Sequence, residues 1–289
     1  MGAPSLGLEI PAFGGSAALR AIALGATRIE LNAEGSYGEG GLTPSLEDLK
    51  QLTSASNPGL PLRIMIRPRG PPAASSSSQA GGISARDFLY SDEEFEIMNA
   101  SIREFKDSGI LDVSRGDGFV FGILEEDGRA DGKDSLRRLR CWVDKTRCAH
   151  LVRAAKPFKC VFHRAFDEIV SCDGDNAAAT SDESARSSWE TGLEAVAACG
   201  FDGILTSGGL GKAVDNVDIL EKIIRRAQDL QIEIIVGGGV RTANVGEITH
   251  RLVLRERSDH VYLHSACLQG DSSENINPEE VQGIVAQLK

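Results

Sequence analysis

No apolar segment of this 289-residue chain approaches the roughly 20 residues that a membrane-spanning helix needs. The first residues contain no basic region followed by an apolar run, so the sequence predicts no secretory signal. Leu6 stands where N-myristoylation would favour Ser or Thr. We therefore expect no membrane partner and a location in the cytoplasm, with the nucleus as a further compartment.

Metal-binding cysteine spacings and excess positive charge are also missing. The six cysteines form no C-x-x-C pair and are dispersed along the chain, which indicates reduced thiols in an intracellular protein and no zinc framework. The net charge of −11 disfavours nucleic-acid partners, because a phosphate backbone is bound mainly by clusters of Lys and Arg. A local basic pocket for a small anion is compatible with this balance.

The composition fits one large α/β domain over residues 1–289, since 41% of the side chains are hydrophobic and a quarter are charged. Apolar and β-branched runs, separated by helical stretches, predict eight buried strands. These strands are expected at 6–13, 28–33, 62–68, 118–124, 158–165, 203–208, 233–239 and 260–266. Eight strand and helix units in one series favour a (β/α)8 TIM barrel, and an open doubly wound sheet of fewer strands is the alternative.

Capping residues predict where several helices begin. Ser16 is expected to cap the first helix, and Ser91 with Glu94 has the spacing of a capping box. Proline is favoured in a first helical turn, so a second helix is expected after 43–45. Asn277 with Glu280 has the same capping-box spacing and is expected to begin the last helix.

Three insertions lengthen this repeating unit, at 71–86, 112–117 and 172–188. Their Ser, Gly, Ala and Asp residues cannot bury enough apolar surface to order a segment, so we expect mobility. The first and third follow strands and lie on the strand-exit face. They either act as lids over a site or are solvated insertions without a role.

Charged side chains inside predicted strands are the strongest indication of a site, because an unpaired buried charge is costly. Glu9, Glu30, Arg67 and His163 would meet in one polar layer if they all point into the barrel. One interpretation is a site that holds an anionic ligand and moves a proton, with His163 titrating near neutrality. The other is an ion-pair network that only fixes the strand register.

Residues around the third and fifth strands add candidate ligand contacts. Arg67 and Arg69 place two guanidinium groups on a stiff turn, and guanidinium suits bidentate recognition of carboxylate or phosphate. Two surface arginines without a ligand are the alternative. Asp167 is expected to orient His163 or Arg164, or else to cap the next helix.

Glycine-rich segments follow the sixth and seventh strands. In many TIM barrels the loops after strands seven and eight bind phosphate through backbone N–H groups, and glycine permits a close approach. We therefore predict a phosphate or carboxylate cradle at these strand ends, with tight turns as the alternative. The candidate residues of this region are Thr206, Ser207, Gly208, Gly237, Gly238, Gly239, His264 and Ser265.

Seven motifs in order along the chain resemble those of the CutC family of copper homeostasis proteins. They are RIEL (28–31), EGGLTPS (39–45), MIRPRG (65–70), DFLYSDEEF (87–95), FHRAFD (162–167), LTSGG (205–209) and GGGV (237–240). The resemblance implies a TIM barrel, cytosolic or nuclear residence, self-association into a homo-oligomer, and a role in copper homeostasis.

The resemblance also implies cysteines at two positions that are Pro11 and Asn32 in this sequence. Cu(I) prefers thiolate or thioether ligands, so a copper site at that place has no evident ligands, and the other cysteines are interpreted as buried structural thiols. Copper as a bound metal follows from the resemblance alone, with its ligands unassigned. The sequence is compatible with three functions. The first is a copper-binding homeostasis protein, and the second is an enzyme that acts on a small phosphorylated or carboxylated metabolite, with Glu9, Glu30 or His163 as acid or base. The third is a non-catalytic scaffold.

Overall fold

Parallel strands close into a barrel in the computed structural model, which describes residues 6–55, 59–72, 86–126, 140–173, 186–256, 260–270 and 273–289. The strands are β1 (Gly7–Phe13), β2 (Arg28–Asn32), β3 (Leu62–Met65), β4 (Gly118–Phe121), β5 (Leu124–Glu126), β6 (Cys141–Val143), β7 (Lys159–Phe162), β8 (Gly203–Thr206), β9 (Glu233–Val236) and β10 (Val261–His264). All except β5 and β6 belong to the barrel, and β10 pairs with β1 to close it. The predicted (β/α)8 TIM barrel is confirmed.

Helices cover the outside of this barrel. They are α1 (Gly15–Leu24), α2 (Leu46–Ala55), α3 (Asp92–Asp107), α4 (Lys145–Ala155), α5 (Ala165–Val170), α6 (Ser188–Cys199), α7 (Val217–Asp229), α8 (Val245–Arg251) and α9 (Pro278–Leu288). In α7 the buried residues Leu220, Ile223, Ile224 and Ala227 recur at helical spacing, so one apolar face packs on the barrel. Within the described ranges, no helix has the length and apolar character needed to cross a membrane.

Most of the predicted helix starts are confirmed. Ser91 and Glu94 form the capping box of α3, and the Asn277 side chain accepts backbone N–H groups at the start of α9. The prediction for Ser16 is wrong, because α1 already begins at Gly15 and its N-cap is Gly14, with φ at 90°. This left-handed conformation favours glycine and lets the chain leave β1 directly into the helix.

The predicted strands run two or three residues too far at several exit ends. The predicted strands include residues past Met65, Phe162 and Val236, but the backbone leaves the ladder there to form the loops of the exit face. The antiparallel pair of β5 and β6 was not predicted, since each strand has only three residues.

The described insertion, at 112–117, is an ordered turn rather than the mobile segment expected. The carboxylate of Asp117 accepts hydrogen bonds from the backbone N–H groups of Leu62 and Asp112, each at 2.8 Å, and so fastens the turn to β3. Residues 73–85 and 174–185, which form most of the other two predicted insertions, lie outside the described residues.

The barrel interior has an apolar and a polar side. Five inward side chains from β3, β4, β7, β8 and β9 form an apolar cluster: Met65, Val120, Val161, Leu205 and Ile235. The inward residues Glu9 on β1, Arg28 and Glu30 on β2, and His264 on β10 are polar. Adjacent pairing of β10, β1 and β2 therefore concentrates ionisable groups along one wall of the barrel.

Candidate functional site

A cavity of about 540 Å³ opens at the strand-exit end of the barrel. Loops and strand ends from most of the barrel line it, as is usual for TIM-barrel sites. The predicted residues that line it are Glu30, Arg67, His163, Arg164, Asp167, Gly238, Gly239, His264 and Ser265. Sequence reasoning thus located the cavity, although several of these side chains have roles other than those expected.

Glu9, Glu30 and His264 form a buried ionisable cluster at the polar wall. The register pairs Glu9 with both His264 and Arg28 on the neighbouring strands. One carboxylate oxygen of Glu9 lies 2.8 Å from Nδ1 of His264, and the other accepts a 2.5 Å hydrogen bond from Nε of Arg28. Glu9 is therefore held as an anion between two cationic partners.

The two carboxyl groups of this cluster titrate in opposite directions. Burial would raise the pKa of Glu9, but Arg28 and His264 outweigh it and lower that pKa to about 2. Burial dominates at Glu30 and raises its pKa, with a further contribution from the charge of Glu9. Burial opposes the charge on His264, but its hydrogen bond to Glu9 and the charge of Glu30 raise its pKa.

His163 does not titrate near neutrality, contrary to the prediction. Burial, assisted by the charge of Arg67, lowers the pKa of His163 to about 3. The backbone N–H of Ala165 donates to Nδ1 of the ring at 3.3 Å, which places the proton of the neutral imidazole on Nε2. His163 is therefore a neutral hydrogen-bond donor in the cavity and not a proton carrier.

Four buried polar atoms of cavity-lining residues have no hydrogen-bond partner among the described residues: Oε2 of Glu30, Oδ1 of Asn32, Nε of Arg67 and Nε2 of His163. Asn32 donates to Oε1 of Glu30 at 3.1 Å, which leaves Oε2 as the position for a proton when this carboxyl group is neutral. Arg67 and His163 present N–H donors, whereas the free oxygen of Asn32 is an acceptor. Because unpaired buried donors are costly, this set favours an acceptor-rich ligand.

The predicted cradle lies at the ends of β9 and β10. Gly238, Gly239 and Ser265 line the cavity. Gly238 has φ at +92°, and a Cβ atom there would lie 2.6 Å from Cβ of Ser207, so glycine is required on both counts. The Ser265 hydroxyl donates to the carbonyl of Val240 at 2.7 Å, which ties the two loops together.

Arg241 is the cavity residue that sequence reasoning missed. It follows the glycine loop, and its Nη1 donates to the carbonyl of Val240 at 2.9 Å and to the Ser265 hydroxyl at 3.3 Å. Within the part of the chain that the structure describes, Arg241 forms no ion pair. A guanidinium beside a glycine loop is a strong anion contact, and the sequence signal was the adjacency of Arg241 to GGGV.

The two arginines predicted to hold an anion are engaged elsewhere. Arg67 bonds the carbonyls of Glu39 and Gly41 and pairs with Asp87 at 2.7 Å, which leaves only its Nε for a ligand. Arg69 does not line the cavity, because it pairs with Glu94 of α3 at 2.5 Å. Both arginines also pair with Asp87, Arg67 at 2.7 Å and Arg69 at 3.7 Å, so this carboxylate neutralises part of their charge.

Asp167 orients Arg164 and the loop after β8, not His163. Its carboxylate accepts from Nε of Arg164 at 2.8 Å, from the Thr206 hydroxyl at 2.5 Å and from the Ser207 backbone at 3.0 Å. Thr206 and Ser207, with Gly208 and Gly237, do not line the cavity and act as supports for its rim. The alternative that Asp167 caps the next helix is also wrong, since it lies inside α5.

The cavity offers few ligands for Cu(I). Pro11 and Asn32, where the resemblance implies thiols, both line it. Among the described lining residues the thioether of Met65 is the one sulfur donor, and thiolates are what Cu(I) prefers. Ligand atoms of Glu9, Glu30 and His264 lie within 4.8 Å of one another, a set suited to a divalent ion.

Comparison with known proteins gives the family. The CutC family pattern matches residues 8–260. "Copper homeostasis protein cutC homolog" of Homo sapiens is 33% identical over 224 residues, which cover 78% of this chain but only 62% of the human protein. The "family protein CutC" of Mesorhizobium japonicum is 31% identical over 91% of this chain and 78% of its own length.

A solved structure supports the fold. The putative copper homeostasis protein CutC from Streptococcus agalactiae superposes with a TM-score of 0.63 at 23% identity, covering 90% of this chain and 98% of that one. At this identity the likeness shows the fold alone. Since the family pattern spans most of the sequence and relatives exceed 30% identity, this chain belongs to the CutC family.

Proposed function

We propose that the cavity binds a small phosphorylated or carboxylated metabolite and exchanges a proton with it, which makes the chain a TIM-barrel enzyme of acid and base chemistry. The observation that carries this proposal is the pair of unpartnered buried N–H donors on Arg67 and His163. A ligand rich in acceptors pairs both of them, and Glu30 joins them as a donor when its carboxyl group is protonated.

The anionic group of the ligand is assigned to the cradle. Gly238, Gly239, Ser265 and Arg241 line the same side of the cavity, at the ends of β9 and β10. Loops in this position bind phosphate in many TIM barrels, because close backbone N–H groups and a guanidinium both favour negative charge. Arg241, rather than Arg67 or Arg69, is the main guanidinium contact for the anion.

The proton is assigned to Glu30, with Glu9 and His264 fixing its state. Two titratable groups with pKa values pushed apart are typical of acid and base sites. The raised pKa of Glu30 favours its protonated form as the acid, and the Glu9 carboxylate bonded to His264 lies behind it. His163 donates its Nε2–H to the ligand and so stabilises negative charge that develops there.

Anion binding tests this proposal. Calorimetric titration of inorganic phosphate into the protein should show binding that Arg241→Gln weakens about tenfold or more, because a charged hydrogen-bond donor is lost. Arg251→Gln, at a half-exposed site on α8, is the matched control and should leave the affinity unchanged. Equal phosphate affinity in Arg241→Gln and the wild type would contradict the cradle, and no binding by the wild type would favour a scaffold.

A part in copper homeostasis is the second candidate, which the names of the human and bacterial relatives support. Glu9, Glu30 and His264 are the described residues that fit a metal in the cavity, and two carboxylates with an imidazole suit Cu(II) better than Cu(I). Such an ion would act as a Lewis acid on a ligand oxygen. Both oxygens of Glu9 are already bonded, so Glu30 and His264 would have to supply most of the coordination.

Cu(II) titration separates this candidate from the first. Cavity coordination predicts that Glu30→Gln removes Cu(II) binding, because an amide is a much weaker ligand than a carboxylate. Unchanged Cu(II) affinity in Glu30→Gln would contradict a copper site in the cavity. Self-association into a homo-oligomer and a cytoplasmic or nuclear location, both implied by the family, are further predictions.

A further inference from the structure

Two cysteine thiols lie side by side outside the cavity. Cys141 begins β6, and Cys172 lies in the short turn that follows α5. Their Sγ atoms are 3.7 Å apart, and no disulfide joins them. Cys141 is buried and Cys172 is partly exposed, so the pair is reachable from one side.

Hydrogen-bond donors point at both sulfur atoms. Nη1 of Arg86 lies 3.2 Å from Sγ of Cys141, and the backbone N–H of Cys141 donates to Sγ of Cys172 at 3.4 Å. Arg86 is itself held by Glu126 at 3.2 Å and Glu168 at 3.0 Å. The hydrogen bond with Cys172 and burial raise the pKa of Cys141, while the Arg86 guanidinium opposes this shift, so a metal that binds here displaces the thiol proton.

We propose that Cys141 and Cys172 bind one Cu(I) ion as a pair of thiolate ligands. Uptake forms two copper–sulfur bonds, releases the two thiol protons to solvent and transfers no electron. Soft thiolates select Cu(I), and the nearby guanidinium of Arg86 offsets the extra negative charge of the complex.

The number of ligands favours a monovalent ion. Structural zinc needs four protein ligands. Among the described residues, the group of three or more His, Cys, Asp and Glu side chains with metal-binding spacing is Glu9, Glu30 and His264, which contains neither cysteine. Within the described ranges, the pair therefore belongs to no group of the size that a zinc site requires.

This inference deepens the copper candidate and does not depend on metabolite binding. Neither Cys141 nor Cys172 lines the cavity, whereas Glu168, which holds Arg86, does. The copper function implied by the relatives would then reside at this thiol pair, and the cavity would keep a separate ligand.

Competition for Cu(I) under anaerobic, reducing conditions tests the site. The full chain, titrated against a Cu(I) chelator of known affinity, should bind one Cu(I). Cys141→Ser and Cys172→Ser should each weaken Cu(I) affinity by more than about a hundredfold, since removal of a ligand costs more than loss of an outer contact. Cys199→Ser, which removes a cysteine at the end of α6, is the matched control and should bind as the wild type does.

Three outcomes would overturn the site: equal Cu(I) affinity in the wild type and the Cys141→Ser variant, an equal loss in Cys199→Ser, or failure of the wild type to compete for Cu(I). X-ray absorption of the copper-loaded wild type gives a second measurement that needs no variant. Two sulfur ligands at copper are expected, and coordination by nitrogen and oxygen alone would contradict the proposal. Arg241→Gln should leave Cu(I) binding unchanged, so failure of the cavity and failure of the thiol site are distinguishable.

Discussion

Glu9 and Glu30 are the same residue type on neighbouring strands, yet their surroundings lower the pKa of Glu9 and raise that of Glu30. The difference comes from partners: Glu9 contacts Arg28 and His264, while Glu30 receives one amide hydrogen bond from Asn32. Period-two alternation predicted that both face inward, but the partners depend on strand register, which the sequence does not specify. Arg28 in particular was not identified as the cation that fixes Glu9.

Glu30→Gln should stabilise the protein at neutral pH. The pKa of Glu30 is raised in the folded protein, so below about pH 4.5 its ionisation does not change the free energy of unfolding. As pH rises through the folded pKa, the residue lowers that free energy. Glutamine mimics the neutral acid and removes this loss, so we expect a gain of about 1–2 kcal/mol at pH 7. Denaturant unfolding at pH 7 and pH 4 measures this gain in the free energy of unfolding. A lower stability of the variant at pH 7 would contradict a protonated Glu30.

Glu9→Gln should have the opposite effect. Glu9 has a pKa of about 2, so its contribution is present above about 4.5 and is lost as pH falls toward 2. Breaking its buried ion pairs should cost about 3–5 kcal/mol at pH 7. Denaturant unfolding of Glu9→Gln and Glu30→Gln side by side checks that their free energies of unfolding change in opposite directions. A destabilisation by Glu9→Gln that does not shrink in acid would argue against an ionised Glu9.

The two cavity histidines should differ in charge at neutral pH. The pKa of His163 is about 3. Burial disfavours the charged form of His264, but Glu9 and Glu30 outweigh burial and raise the pKa of His264 above its usual value. Imidazole NMR should therefore show His163 neutral at pH 7, whereas the pKa of His264 should lie above the usual value of an imidazole. The stability due to His264 is present below about 6.5 and is lost as pH rises through its folded pKa. A protonated His163 at pH 6 would contradict this assignment.

At the scale of elements, the strands were predictable and their ends were not. Continuous apolar runs identified all eight barrel strands, because parallel strands are buried on both faces. The exit loops carry the site, and their geometry comes from contacts distant in sequence: Asp167 holds the loop after β8, and Asp87 holds Arg67. Motif adjacency indicated Arg69 as a ligand contact, although Glu94 of α3 binds it instead.

Gly238→Ala should destabilise the cradle loop more than a matched glycine change. Gly238 and Gly211 both have φ at +92°, but a Cβ atom at Gly238 meets Ser207 at 2.6 Å, whereas one at Gly211 meets nothing within 4 Å. Backbone strain should cost about 1–2 kcal/mol in both variants, and crowding should add about 1–3 kcal/mol at Gly238. Thermal unfolding compares them, and equal losses would show that the close approach to Ser207 is not rigid.

At the scale of the whole molecule, family membership and cavity chemistry point to different places. The chain belongs to the CutC family, and Cys141 and Cys172, the two thiols whose sulfur atoms lie 3.7 Å apart, are outside the cavity. The barrel mouth instead presents buried donors and a glycine cradle. A single TIM barrel has room for both proposed sites, because the cavity lies at its exit loops while Cys141 on β6 and Cys172 after α5 lie outside the cavity.

The central claim is that the cavity of this barrel recognises an anion. A crystal structure of the protein grown with selenate, a phosphate-like anion that anomalous scattering locates, tests it directly. We predict the anion in the cavity, against the backbone of Gly238 and Gly239 and the guanidinium of Arg241. A cavity free of selenate while surface arginines bind it, or a metal ion held by Glu30 and His264 in its place, would contradict the account.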